Sequence, residues 1–449
     1  MKKFSQKYRE HYKNTFLLAY PVCLSQLGHI TVGIIDIAMV GYIGTSEQAA
    51  AGLAHSIFIL GLVFGLGVST GITPLIAISD GEKDRSSISD LLKHGIIVNF
   101  ITSIFLFIVL FSISPVLRIL DQPADVVDLA LPFLKVILLS MIPLSIFSAF
   151  KQFAEGLSDT KTAMIITIGS NFLNIFLNYI FIFGKYGFDP MGLMGSCWAS
   201  FWARVIMAFA MFLYLYYNKR FEFYWKHFYL KKISLSLIKK ILGIGIPSGL
   251  QWVFETGAFG VAVIMTGWIG AKEQAAHQIA LCIASITYMI ASGLSAATSV
   301  RVGNNVGIKN TEGIRNAGFS SFCMTIGFMS IAAITFITGK NLFPLFFSKD
   351  IEVISIASSL LVIAGFFQLS DGIQVVGLGA LRGLKDVKIP TLITLVAYWV
   401  IGLPLSYFFA FKLFWGVQGV WYGLLAGLSA AAISLFLRFN YISKKIIIS

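Results

Sequence analysis

Gly41-Tyr42-Ile43-Gly44-Thr45-Ser46-Glu47-Gln48-Ala49-Ala50 returns 226 residues later as Gly267-Trp268-Ile269-Gly270-Ala271-Lys272-Glu273-Gln274-Ala275-Ala276. Landmarks on either side keep the same spacing: Pro21 with Pro247, Gly67 with Gly293, and Gly81 with Gly307. Further on, Gly156-Leu157-x-Asp159-x-Lys161 recurs as Gly383-Leu384-x-Asp386-x-Lys388, and Gly192-x-x-Gly195 as Gly416-x-x-Gly419. Chance does not produce this many matches at near-constant offset. The chain is a duplication whose two halves have parallel topology, related by a pseudo-two-fold axis.

What lies between the landmarks is apolar. Of the 449 residues 57% are hydrophobic and 12% charged, and the mean hydropathy is +0.82. A soluble domain carries about 45–50% apolar and about 25% charged residues, so an ordinary cytosolic globule is excluded, and so is disorder. Apolar runs of about 20 residues can span a bilayer. The chain divides into twelve such runs, at 16–42, 50–79, 95–117, 128–150, 163–184, 193–217, 241–268, 274–300, 316–345, 352–378, 389–411 and 418–440. They are too long and too little alternated for an outer-membrane barrel. The expected fold is an all-α integral membrane protein with twelve transmembrane helices in two pseudo-symmetric six-helix bundles. Residues 1–220 form the N-terminal bundle, 221–240 a basic cytoplasmic linker and 241–449 the C-terminal bundle.

The formal net charge is +13. In a soluble protein this would suggest nucleic acid; here it reflects the bias of cytoplasmic loops toward Lys and Arg, and no nucleic-acid partner is expected. The N-terminal tail and every second loop hold most of the 34 Lys and Arg, whereas the intervening loops hold Arg118, Lys185, Lys272, Lys340, Lys349 and Lys412. Both termini are therefore expected in the cytoplasm. The apolar run from Phe16 reads as a retained first span and not a cleaved signal. Cys23, Cys197, Cys282 and Cys323 all fall in apolar stretches without metal-site spacing, which implies neither a disulfide framework nor a zinc site.

A carboxylate deep in a transmembrane helix costs about 2.5–3.5 kcal/mol on insertion scales and should face a partner or water. Asp36, Glu255 and Asp371 meet that description; the other acids, Asp125, Glu222 and Glu352 among them, fall in loops or near span ends. Asp36 stands where the second half has Ala262, so fold symmetry does not require it. Asn171, Asn174 and Asn178 share one face of the fifth helix, beside Ser170. With Asp36 they make either a cation or proton site or an interhelical hydrogen-bond zipper. Glu255 and Asp371 can share a proton or chelate a monovalent ion, or stand as two separate neutral carboxyls. His29 and His55 read as packing residues, Arg204 as the only deep cation, paired with a carboxylate or carbonyls, and Lys135 as a side chain that snorkels outward. No P-loop, G-x-S-x-G or H-E-x-x-H motif occurs, so an enzyme is not expected and energy must come from an ion gradient.

Pro21, the early Asp36, the doubled G-[YW]-I-G-x-x-E-Q-A-A loop, Glu255 and Asp371 together resemble the multidrug and toxic compound extrusion (MATE) family, in its NorM-like branch. The resemblance covers the whole chain. It implies a monomeric inner-membrane antiporter that exports small organic, mostly cationic or aromatic compounds against Na⁺ or H⁺, with no cofactor. It further implies a cation or proton site at Asp36, Asn174 and Asn178, and a second at Glu255 and Asp371, with Na⁺ the candidate ion at either. Gln278, Tyr288 and Asp350 match positions that the family uses at or near substrate, and Phe367 is expected beside substrate with them. Phe367 departs from members that carry a Tyr hydroxyl one turn before the acid, which removes an oxygen ligand there. The competing reading within the same superfamily is a flippase for lipids or lipid-linked oligosaccharides, which calls for deep Arg and Lys to hold pyrophosphate. A channel would need a continuous polar ring, which the sequence lacks.

Overall fold

The computed structural model describes residues 2–119, 123–228 and 233–448. Tyr229–Lys232, inside the expected basic linker, lie outside the described residues. Among the described residues there is no strand, and twelve helices are long and apolar enough to cross a membrane. They are α1 (Arg9–Gly41), α2 (Thr45–Gly81), α3 (Arg85–Ile119), α4 (Ala124–Gly156), α5 (Lys161–Phe183), α6 (Leu193–Tyr217), α7 (Leu235–Ile269), α8 (Ala271–Gly307), α9 (Thr311–Thr338), α10 (Ile351–Gly383), α11 (Lys388–Lys412) and α12 (Gly416–Lys445). The all-α, twelve-span expectation agrees with this architecture.

Proline accounts for three irregular places in these helices. Its ring leaves the carbonyl four residues back without a donor and presses against it. Pro74 and Pro143 do this at Thr70 and Leu139, and α2 and α4 are interrupted at Thr70–Gly71 and at Ser140. Pro404 does it at Val400, inside the widened turns Val396–Gly402 of α11.

The helices gather into two compact units, one of Met1–Cys23 with Leu250–Ser449 and one of Leu24–Gly249. The chain thus leaves one unit for the other inside α1 and α7, two residues after Pro21 and Pro247 respectively. In the Leu24–Gly249 unit, α2 lies directly on the start of α7. A Cβ added to Gly67 would stand 2.5 Å from the Gly249 Cα, and one on Gly71 2.8 Å from the Gly245 N. In the other unit the same contact joins α8 to the start of α1, where a Cβ on Gly293 would lie 2.7 Å from the Cys23 N. Ala297 and Ala19 pack in one apolar cluster beside it. Small residues permit this approach of backbones in a membrane protein, and it follows the 226-residue repeat residue for residue.

The doubled motifs have the same local roles in both copies. Gln48 N donates to Gly44 O at 3.1 Å and Gln274 N to Gly270 O at 3.0 Å, opening α2 and α8. Lys83 and Lys309 take left-handed φ of 59° and 54°. Asp84 and Asn310 then cap α3 and α9, accepting from Ser87 N at 3.0 Å and Gly313 N at 2.9 Å. In the Gly-Leu-x-Asp-x-Lys turns, Ser158 and Lys385 take φ of 64° and 60°. The aspartates that follow are held by the last helix of each half: Asp159 accepts from Tyr214 Oη at 2.7 Å, and Asp386 from Arg438 Nε at 2.8 Å.

Candidate functional site

In the Leu24–Gly249 unit the polar face of α5 meets Asp36 of α1. Asn178 Nδ2 donates to Asp36 Oδ1 at 2.5 Å and lies 3.2 Å from Asn174 Oδ1. Asn174 Nδ2 in turn donates to Ser200 Oγ of α6 at 3.2 Å, and Ser170 Oγ to Ala203 O at 3.0 Å. Asn174 and Asn178 are buried, and Asn178 Oδ1 has no hydrogen-bond partner. Asp36 is only half-buried. A carboxylate held by an amide donor, next to an amide oxygen with nothing to accept, can take a proton or contribute oxygens to a small cation. Asn171 stands apart from this chain, its amide nitrogen 2.7 Å from where a Gly28 Cβ would be.

In the other unit Glu255 of α7 and Asp371 of α10 are buried, 6% and 3% exposed, and their charges act on one another. Tyr288 of α8 and Gln374 of α10 are the polar side chains that act on Glu255. The Gln374 nitrogen nonetheless completes no hydrogen bond of regular geometry. Its Oε1 accepts from Tyr398 Oη of α11 at 2.9 Å, so a second phenol closes the cluster. Phe367, expected beside substrate, is instead a packed core ring, set edge-on to Phe259 and Trp421 at centroid distances of 6.1 and 5.8 Å. The hydroxyl oxygens of this site come from α8 and α11, on Tyr288 and Tyr398. Gln374 was legible, since it lies on the Asp371 face of α10 three residues on. Tyr398 is one aromatic in an apolar helix, and nothing in the sequence marks it.

The remaining expected residues lie elsewhere. Gln278 is exposed and ten residues before Tyr288, about 15 Å along the helix, so the structure does not bring it to the acid pair. Asp350 caps α10, accepting from Glu352 N at 2.9 Å, and lies 3.9 Å from Lys272 Nζ; Lys272 also pairs with Glu352. Among the described residues Arg204 makes no hydrogen bond or ion pair with a carboxylate or carbonyl, though its charge and that of Asp36 act on one another: Nη1 donates to Ser140 Oγ, and the guanidinium sits 5.1 Å from the Phe58 ring centre. His29 and His55, read as packing residues, are exposed. Lys135 is exposed over the Phe111 ring, as a snorkelling side chain would be. Lys93, Lys151, Arg301 and Arg382 are buried as well. Their positions near helix ends made them look like loop charges in the sequence.

Repeated six-helix halves, each with carboxylates inside its helices, define a membrane transporter. The MatE family model matches residues 21–180 and 247–408, once in each half, and the chain belongs to that family. It is similar to a protein named probable multidrug resistance protein NorM from Xylella fastidiosa (strain 9a5c), 30% identical over 434 residues, 96% of this chain and 92% of that one. It is also similar to multidrug resistance protein MdtK from Yersinia pseudotuberculosis serotype O:1b (strain IP 31758), 31% identical over 445 residues, 98% and 97% of the two chains. The fold matches a solved multidrug resistance MATE family transporter of the MOP superfamily in an outward-facing conformation, with TM-score 0.90, 20% identity and coverage of 98% and 97%. It matches the eukaryotic MATE transporter AtDTX14 with TM-score 0.88, 21% identity and 98% coverage of both chains.

Proposed function

We infer that this protein is a cation-coupled antiporter of the inner membrane. It exports small organic compounds, mostly cationic or aromatic, by alternating access, with both termini cytoplasmic. The observation that carries the reading is the buried acid pair Glu255–Asp371 with the hydroxyls of Tyr288 and Tyr398 around it. Burying carboxylates without a full set of donors is unfavourable unless they bind something positive. Na⁺ is a hard cation that takes oxygen ligands, by analogy with the oxygen shells of other hard cations. Two carboxylates, two phenols and water supply such a set, and they offset the oxygen that Phe367 lacks. Asp36, with Asn174 and Asn178, is the second cation-responsive centre, and protons are its alternative ligand.

The names of the relatives, multidrug resistance proteins NorM and MdtK, support the export of varied compounds. Forty Phe offer stacking and cation–π surface without demanding one shape. A flippase for pyrophosphate-linked lipids would gather free cations around its cargo. Here Arg204 is held by Ser140, Lys151 lies 3.8 Å from Glu155, and Arg301 is engaged by His11 and Thr15; Arg382 alone, in the last turn of α10, has a buried nitrogen without a partner among these, and one such cation is not the cluster that a pyrophosphate needs. The test is efflux of a fluorescent organic cation from proteoliposomes. An imposed inward Na⁺ or H⁺ gradient should drive it, and collapsing both gradients should stop it. Efflux that continues without any cation gradient would refute the reading.

A further inference from the structure

Arg204 stands in the middle of α6 and is only half-buried. A guanidinium carries five N–H donors in one plane. Arg204 uses one of them, from Nη1 to Ser140 Oγ, and makes no other hydrogen bond or ion pair among the described residues. Its Nε and Nη2 are not enclosed, so those donors remain open. The hold on Nη1 is firm, because Ser140 Oγ gives its own hydrogen to Ile137 O at 2.5 Å and is left to accept.

The opening does not face lipid. Trp202, Ile206 and Phe209 are exposed and form the apolar stripe of α6, and Arg204 falls on the opposite face. On that face it meets α4 at Ser140 and α2 at Phe58, whose ring centre is 5.1 Å from the guanidinium. The site of Asp36 lies along the same interior. Asp36 is bonded by Asn178, Asn178 by Asn174 one turn down α5, and Asn174 by Ser200, one turn before Arg204 on α6. Because α5 and α6 run antiparallel, both steps go the same way. The Arg204 backbone is therefore about two turns, ~11 Å, from the level of Asp36, and its side chain leans back toward that level. Neutral groups hold each charge, Asn178 on the acid and Ser140 on the arginine, and the two do not pair.

An acid and an open guanidinium held apart in one interior are complementary to a molecule with a positive end and a negative end. The negative end is a carboxylate by charge and shape. One cation matches one anion, the planar fork can take both carboxylate oxygens, and a guanidinium laid over an aromatic ring accepts a flat neighbour. We propose that Arg204 is an anion subsite inside the Leu24–Gly249 unit, which binds the carboxylate of zwitterionic aromatic cargo whose cationic end lies toward Asp36. The proposal rests on the export of organic cations and adds the residue that admits those carrying an acid as well.

The test uses tetramethylrhodamine, a zwitterion with a free carboxylate, and its methyl ester, a cation of nearly the same shape. The measurement is the half-saturating concentration of each dye for gradient-driven efflux from proteoliposomes, taken as the ratio of acid to ester. The wild-type protein should export both. Arg204→Gln should raise the ratio about tenfold to a hundredfold, the value of a hydrogen bond to an ionised group. Arg204→Lys keeps the charge and loses the fork, and should raise the ratio by less. Bracing of α6 against Ser140 alone would impair both dyes alike. An unchanged ratio in folded Arg204→Gln, or in Arg204→Lys where the Gln variant does not fold, overturns the proposal. So does a wild-type protein that exports the ester and rejects the acid. If wild type exports neither dye, the export reading itself fails; if it exports both and the ratio does not move, only the anion subsite fails.

Discussion

Replacing Asn178 with Ala removes the one side-chain donor seen on Asp36, the 2.5 Å bond from Nδ2 to Oδ1. It also cuts the link onward to Asn174 and Ser200. A hydrogen bond to an ionised group contributes about 1.5–3 kcal/mol, and each 1.4 kcal/mol is about tenfold in an equilibrium. If the charged state of Asp36 is part of the transport cycle, Asn178→Ala should slow gradient-driven efflux about tenfold to a hundredfold. Asp36→Asn, which removes the charge itself, should abolish it at unchanged expression. Asn171→Ala is the control: it lies on the same helix face, but its amide is against Gly28 and not in the chain that reaches Asp36. Proteoliposomes loaded with a fluorescent organic cation give the rates directly. Wild-type efflux by Asn178→Ala, or equal losses in the Asn171 and Asn178 variants, would show that the asparagine face only packs helices.

Gly67→Ala should lower thermal stability. The new methyl meets Gly249 backbone at 2.5 Å, and overpacking of about 1–3 kcal/mol outweighs a helix-propensity gain of about 1 kcal/mol. Gly52→Ala, on the same helix with nothing within 4 Å, should be neutral or stabilising, and a melt that ranks the two the other way contradicts the close α2–α7 contact. Arg438→Gln, which removes two bonds to Asp386, and Tyr214→Phe, which removes one to Asp159, should each lose about 1.5–3 kcal/mol, because both acceptors are carboxylates; wild-type stability of either variant in a denaturation series would contradict that anchoring. With the four native cysteines replaced by Ser, Lys226→Cys should react with an impermeant thiol reagent only from the cytoplasmic side, and periplasmic labelling would invert the topology.

The architecture was legible because its signals are long-range and redundant. A loop motif that recurs with its prolines and glycines at one offset fixes two halves, and runs of apolar residues fix the spans. Asp36 and the Asn face were also legible, since helical spacing alone puts Asn174 and Asn178 together. The unit boundaries were not. The chain changes unit inside α1 and α7, after Cys23 and Gly249, within continuous apolar runs where composition does not change. Burial near helix ends was equally hidden. Glu155 and Arg382 sit beside loop charges in the sequence, yet tight packing at Gly156 and Gly383 encloses them. Gln278 and Phe367 were placed by family resemblance alone, which does not give surroundings: Gln278 is exposed, ten residues from Tyr288 along α8, and Phe367 is packed core.

The central claim is that the buried acids couple export to a cation, and the acid pair decides which one. At fixed pH, an inward Na⁺ gradient should accelerate efflux of an organic cation by the wild-type protein, and Glu255→Gln or Asp371→Asn should remove that acceleration. Efflux that ignores Na⁺ and follows the pH gradient alone would contradict Na⁺ coupling at this pair and leave the proton as the driving ion.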